Sequence, residues 1–297
     1  MRYAVAHGRR SGRGRAAELG QEAVRRLRAA GHDVVEVTAD SLDHARSACG
    51  QLVAEGLDVL VVAGGDGGVS LATDLCAGTS TAVAILPSGT GNDNARSLRI
   101  PLGPEGALET LLADHRRTVD TLYLPDLDRH VLGSVPAALD ARISVRASGS
   151  ARHLGSFSYT MAALIEIALL RRQPPLHYTL TVDGCTEELD ALVVAPVNMP
   201  VFGGGLRIAP QADPSDGWLD LVVIRPVTPL QALGLLRQVR AARHTSHSAV
   251  RITPAHEVRI AGPADIVAQA DGEEVGPLPL TVRLSPADLQ MIAPPLT

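Results

Sequence analysis

The sequence predicts an α/β domain built on a parallel sheet, followed by a mainly antiparallel β-sandwich domain. Three observations predict it. Strand-like and helix-like runs alternate through the first 125 residues, the order of a parallel sheet with right-handed crossovers. After that the runs become short and strand-like, with turn residues between them. The chain, at 297 residues, is also long enough to bury two cores. The expected domains are residues 1–125, with 286–297 returning to the first domain, and residues 126–285.

The elements follow in order. Tyr3–Ala6 is a short apolar run. Over Arg15–Ala30, Leu19, Ala23, Val24 and Leu27 share one helical face, and Gly31 supplies the stop. Val34–Val37 is a strand and Leu42–Glu55 a helix ending at Gly56. Asp58–Ala63 is continuously apolar, as in a strand covered on both faces. Val69–Cys76 reads as helix, Ala82–Leu86 as strand, Gly91–Leu98 and Glu105–Asp114 as helices, and Thr118–Leu124 as strand. In the second half the strand-like runs are His177–Val182, Ala191–Pro196, Leu219–Ile224, Glu257–Ile260, Ile266–Ala270 and Leu280–Leu284. Turns such as Asp183-Gly184, Pro214-Ser215-Asp216-Gly217 and Asp271-Gly272 separate them. Two helical insertions are expected, near Phe157–Leu170 and Pro229–Ala242.

Composition narrows the chemistry. All 27 basic residues are Arg; the sequence has no Lys. A Walker A P-loop, the strand lysine of protein kinases and Schiff-base chemistry are therefore excluded. Aromatic residues make up only 2% of the chain, which argues against nucleic-acid binding by base stacking. Cys49, Cys76 and Cys185 lack zinc spacing and read as reduced thiols of a cytoplasmic protein. No apolar stretch reaches the length of a membrane span, and no secretory leader is read at the start.

Chemistry concentrates in glycine-rich loops. Gly64-Gly65-Asp66-Gly67-Gly68 follows the buried strand and opens a helix. Four glycines there let the backbone approach a ligand and leave amides directed at an anion. Pro87-Ser88-Gly89-Thr90-Gly91-Asn92-Asp93 follows the next parallel strand in the same way, so the two loops should lie side by side, where open α/β sheets bind ligands. Thr90 offers a hydroxyl and Asn92 an amide. Ser11-Gly12-Arg13-Gly14 follows the first strand. Residues 1–30 carry eight Arg against two Glu, which suits an anionic ligand. Taken alone, Asp271-Gly272 reads as a hairpin turn.

These motifs resemble the diacylglycerol kinase catalytic-domain family, with its bacterial diacylglycerol kinases, YegS-like lipid kinases, sphingosine kinases and ceramide kinases. The resemblance is carried by Gly64-Gly65-Asp66-Gly67 and Leu86–Asp93. It continues through Asn198, Gly203-Gly204-Gly205, Ile208–Ala212, Asp216–Asp220, Asp271-Gly272-Glu273 and Ser285–Pro295. It implies ATP-dependent phosphorylation of a lipid hydroxyl, with ATP and Mg2+ as cofactors and the nucleotide in a cleft between the domains. By position, Gly64, Gly65, Asp66, Gly67, Gly68 and Ser70 would cradle phosphates, with Ser11, Gly12, Gly89, Thr90 and Asn92 beside them. Thr38 would lie near the adenosine. Asp66, Asp271 and Glu273 are the implied catalytic carboxylates. Asp213, Asp216 and Trp218 match a turn that holds a structural magnesium in bacterial relatives; a metal-free Asx turn is the alternative.

Three departures from the family pattern are visible. Gly68 stands where the family has Thr, Gly8-Arg9-Arg10-Ser11-Gly12 replaces Asn-Pro-x-Ser-Gly, and Ser134–Ala141 keeps Asp140-Ala141 without the Gly before them. Two alternatives stay open: an NAD-kinase-like enzyme, which shares Gly-Gly-Asp-Gly, and a non-catalytic lipid- or nucleotide-binding homologue. The expected partners are ATP, a lipid substrate at the membrane surface and a second copy in a homodimer, with no nucleic acid. The apolar insertion Phe157–Leu170 is read as a core helix or as a peripheral membrane contact of a cytoplasmic protein.

Overall fold

The structure is a computed structural model and describes residues 1–8, 14–138, 175–264 and 266–295. The chain divides into two compact units, Met1–Thr121 with Pro286–Thr297, and Leu122–Ser285. The Phe157–Leu170 insertion, Ser11, Gly12 and Asp140-Ala141 lie outside the described residues.

In the first unit, β1 (Arg2–Gly8), β2 (Asp33–Ala39), β3 (Val59–Gly64), β4 (Ala82–Pro87) and the end of β15 (Leu280–Ile292) form a parallel sheet in the order β2-β1-β3-β4-β15. Register aligns Val5 with Val61, Val61 with Ala84, and Ala84 with Ile292. That row joins one core with Leu19, Ala23, Val24 and Leu27 of α1 (Arg15–Ala29) and Ala107, Leu108 and Leu111 of α5 (Pro104–Ala113). Helical spacing in α1 and α5 thus meets the two-residue period of the strands. Burying each such Leu or Val contributes about 1.5–3 kcal/mol. All six residues of β3 and of β4 are buried, which explains their uninterrupted apolar runs.

The helices begin and end where local chemistry directs. Ser41 caps α2 (Leu42–Ala54), its Oγ accepting from the His44 N–H at 3.1 Å. Gly31 and Gly56 follow α1 and α2 with φ of 82° and 84°, a left-handed stop that needs no Cβ. Helix α3 (Asp66–Cys76) starts three residues before the expected Val69, inside the glycine motif itself, and α4 (Asp93–Ser97) is shorter than expected. Glycine's low helix propensity hides such a start from a reading based on periodicity. Burial raises the Cys49 thiol to about 11 and the Cys76 thiol to about 12, which leaves both unreactive. Cys185 is exposed.

The second unit is a β-sandwich. One sheet runs through β8 (Cys185–Ala191), β7 (Leu176–Val182), β12 (Glu257–Ala261) and Leu280–Arg283 of β15, all antiparallel. The end of β5 (Arg116–Leu124) pairs with β6 (Arg129–Val131). A second sheet has the order β11 (Val250–Ala255), β10 (Leu219–Ile224), β9 (Val193–Val197). Along β10 the side chains alternate between cores. Leu219, Leu221 and Val223 face the sandwich interior with Tyr178, Leu180, Val258 and Ile260. Val222 and Ile224 join Leu235 and Val239 of α6 (Pro229–Arg240) on the other face. A capping box of Thr228 and Gln231 starts α6. A hairpin links β13 (Val267–Ala270) to β14 (Glu273–Pro277).

Among the described residues, four strands escaped the sequence reading: β6, β8, β11 and β14. Strand β8 carries Glu187, Glu188 and Asp190 and lies at a sheet edge, where charges guard against further pairing and erase the apolar alternation. Strand β11 is also an edge and contains Pro254.

Candidate functional site

Strands β3 and β4 end level with each other, Gly64 opposite Pro87, and the Ser88 N–H donates to the Gly64 carbonyl at 2.9 Å. The loops that follow meet backbone to backbone. A Cβ on Gly89 would lie 2.5 Å from the Gly65 Cα, and one on Gly65 would lie 3.1 Å from the Gly89 Cα. Gly89 is thus required by space and Gly65 sits in a tight contact, and the side-by-side loops expected from the sequence are present. Gly65 caps α3 without any side-chain bond. The N–H groups of Gly68 and Val69 donate to the Gly65 carbonyl, at 3.0 and 3.2 Å. Gly67, a first-turn donor, has no acceptor within the helix and suits an anion.

Asp66 ties the loops together. Its carboxylate accepts from the Asn94 N–H at 3.2 Å and also draws on the backbone amides of Asn92 and Asp93. Burial raises its carboxyl above the usual value, and those amides oppose the rise. Asn92 sits in the left-handed region at φ 51°. Its amide closes its own loop, Nδ2 donating to the Gly89 carbonyl and Oδ1 accepting from the Gly89 N–H, both at 3.0 Å. Ser70 is fully buried within α3, and Thr90 is exposed on its loop.

A cavity of about 660 Å³ opens beside Gly64, Gly65 and Gly68, at the carboxyl ends of β1, β2 and β3. Its walls include His7, Asp40, Ser41, Cys49, Val62 and Leu71. His7 is buried and its Nε2 lies 2.9 Å from Glu36 Oε1. Thr38 is half-buried and paired with His7 in the sheet register, but Ala39, Asp40 and Ser41 supply that wall. The sequence places Thr38 at this strand-to-helix connection but does not single out Asp40 or Ser41, although Ser41 is the cap that marks the start of α2. Gly68 also has a local reason. A Cβ there would approach Val62 Cγ1 to 2.9 Å, so Val62 occupies the room that a side chain at position 68 needs.

In the second unit the Asp271-Gly272 turn has φ of 47° and 88°, a hairpin turn in which both residues are left-handed. Asp271 does more than turn. Its carboxylate accepts from the N–H groups of Leu132, Gly133 and Ser134, at 3.3, 3.2 and 3.0 Å, and its own N–H donates to the Ser134 carbonyl at 3.1 Å. Glu273 pairs with the Arg129 guanidinium at 2.7 Å. Arg129 was not singled out in the sequence, because nothing local distinguishes it from other arginines.

In the Asp213–Trp218 turn, Asp213 Oδ1 accepts from the Ser215 N–H at 3.1 Å and Asp216 Oδ1 from the Trp218 N–H at 2.9 Å. Those are the bonds of Asx turns. Trp218 is exposed and its ring lies 3.9 Å from that of His256. Among the described residues no group of three or more His, Cys, Asp or Glu gathers to hold a metal ion.

Residues 2–124 match the family model of the diacylglycerol kinase catalytic domain, and residues 133–293 match the YegS C-terminal NAD kinase beta sandwich-like domain. A diacylglycerol kinase from Mycobacterium tuberculosis (strain CDC 1551 / Oshkosh) is 34% identical over 290 residues, covering 96% of this chain and 92% of the relative. The chain belongs to the diacylglycerol kinase catalytic-domain family. Another member, a diacylglycerol kinase from Staphylococcus aureus (strain RF122), is 22% identical over 92% of this chain and 86% of its own. A Bacillus anthracis crystal structure has the same fold, with a TM-score of 0.82 at 21% identity over 99% of this chain and 95% of that one. The order of the family's motifs along the chain is what the sequence made visible.

Two predictions follow from the packing of this site. The folded chain keeps the proton on Asp66 to higher pH than the unfolded chain does, so stability contributed at low pH is lost as pH rises from about 3.8 through the raised folded value. Urea unfolding from about pH 3 to about pH 7 should therefore show Asp66→Asn gaining on the wild type as pH rises. A constant difference would contradict the burial argument. Gly68→Thr should cost about 1–2 kcal/mol alone, and less in a Val62→Ala background, with a coupling of about 1 kcal/mol in the double-mutant cycle. Additive effects would show that the two positions do not share space.

Proposed function

We propose that the chain is an ATP-dependent lipid kinase that phosphorylates the hydroxyl of diacylglycerol or a related lipid alcohol. The observation that carries this reading is the backbone contact of the two glycine loops beside the 660 Å³ cavity. It is a phosphate cradle made of amides, in a chain that has no lysine. The phosphates of ATP lie against Gly64–Gly68, with the Thr90 hydroxyl near them and the nucleoside in the cavity. Magnesium enters with the nucleotide.

The chain's carboxylates divide the work. Asp66 holds the second loop against the first. Asp271 pins the hairpin that carries Glu273. Glu273 takes the proton of the acceptor hydroxyl as its oxygen bonds to the γ-phosphorus and the bond to the β-phosphate oxygen breaks, releasing ADP. Arg129 fixes the direction of the Glu273 carboxylate.

Labelled ATP with magnesium, offered diacylglycerol, sphingosine, ceramide and NAD in separate reactions, tests the reading. Label should pass to a lipid alcohol. Transfer to NAD alone favours the NAD-kinase-like alternative, and ATP binding without transfer favours a non-catalytic homologue. Glu273→Gln should lower turnover by roughly 10²–10⁴-fold with little change in unfolding temperature. Wild-type turnover in that variant would remove Glu273 from the chemistry.

A further inference from the structure

Helix α6 carries an exposed face that the proposed transfer step does not use. Its buried side chains, Ala232, Leu235 and Val239, share one stripe, and Leu235 and Val239 pack against the second sheet. At about 100° per residue, Leu230, Leu233, Arg237 and Arg240 fall within an arc of about 80° on the opposite side. Leu230 is 80% exposed and Leu233 41%. Arg237 and Arg240 are exposed in the last turn, and Arg243 is exposed just beyond it. Along this stretch of chain the charge has one sign. From Leu221 to His256 the sequence has no Asp or Glu.

Two leucines projecting toward solvent, followed by arginines on the same stripe, form an interfacial pattern. The leucines suit the acyl boundary of a bilayer, and the guanidinium groups suit the phosphates above it. A protein partner for the same face would have to be both acidic and apolar; an anionic leaflet is both over any area. We propose that the exposed face of α6 docks the second unit on an anionic lipid surface, with Leu230 and Leu233 inserted among the lipids and Arg237, Arg240 and Arg243 at the headgroups. Its purpose rests on the lipid-kinase reading, since a diacylglycerol acceptor lies in a bilayer, but docking itself requires no turnover. Helix α6, at 12 residues, is too short to span a bilayer, so this contact is with one leaflet.

The test is co-sedimentation of the full chain with vesicles of phosphatidylglycerol and phosphatidylcholine, and with vesicles of phosphatidylcholine alone. A parallel assay measures phosphoryl transfer to a short-chain diacylglycerol in solution. The wild type should bind the anionic vesicles, less so as salt rises. Leu230→Gln with Leu233→Gln, and Arg237→Gln with Arg240→Gln, should each weaken that binding by roughly tenfold or more. Transfer to the soluble acceptor should be unchanged in both. Leu230→Gln alone, at the most exposed position, guards against a folding defect and should weaken binding in the same direction. Wild-type binding by both double variants, or no vesicle binding by the wild type, overturns the proposal. So does a dimer in solution that Leu230→Gln converts to monomer, because the face then belongs to a second copy. Docking that depends on α6 without transfer to any lipid would leave this inference standing and remove the kinase reading instead.

Discussion

The close approach of Gly65 and Gly89 is the constraint on which the first unit's site depends. With 2.5 Å between a Gly89 Cβ and the Gly65 Cα, position 89 cannot carry a side chain unless the two loops separate. The apposition follows from the sheet. Parallel strands β3 and β4 end in register, their loops start level, and the Ser88 N–H to Gly64 carbonyl bond holds that start. The backbone proposed to bind phosphate is brought together by this contact, which also places Thr90 beside it.

Without lysine, the chain's fixed donors to an anion would be amides and arginines, and three carboxylates are tied to backbone donors or to an arginine. Asp66 spans the Asn92–Asn94 amides, Asp271 spans the Leu132–Ser134 amides, and Glu273 meets Arg129. Each bond places a loop as well as a charge. Asp66 and Asp271 hold loops in place through these bonds, and Glu273 is the carboxylate proposed to take the proton. The cost of desolvating Asp66 is offset in part by the donors around it.

The fold class was legible because apolar runs buried on both faces and glycine stops leave direct marks in a sequence. Strands β8 and β11 were not, because edge strands carry charge or proline where the alternation should be. The pairing of the two glycine loops was legible because both follow parallel strands. What Asp66 and Asp271 bind was not, since their partners are main-chain amides that any residue could supply. Arg129 meets Glu273 across 144 residues of sequence. The meaning of Gly68 also depended on three dimensions. Read alone it is a missing hydroxyl, whereas beside Val62 it is a position where a side chain must displace the Val62 methyl.

The central claim is that the apposed loops form the nucleotide phosphate site. Calorimetric titration of ATP with magnesium into the wild type and into Gly89→Ala tests it most directly, because the added methyl strikes the Gly65 backbone and alters no charge. The account predicts saturable binding by the wild type and an affinity lower by roughly tenfold or more in Gly89→Ala, a loss of about 1.4 kcal/mol or greater. Equal affinity in the two proteins would contradict it.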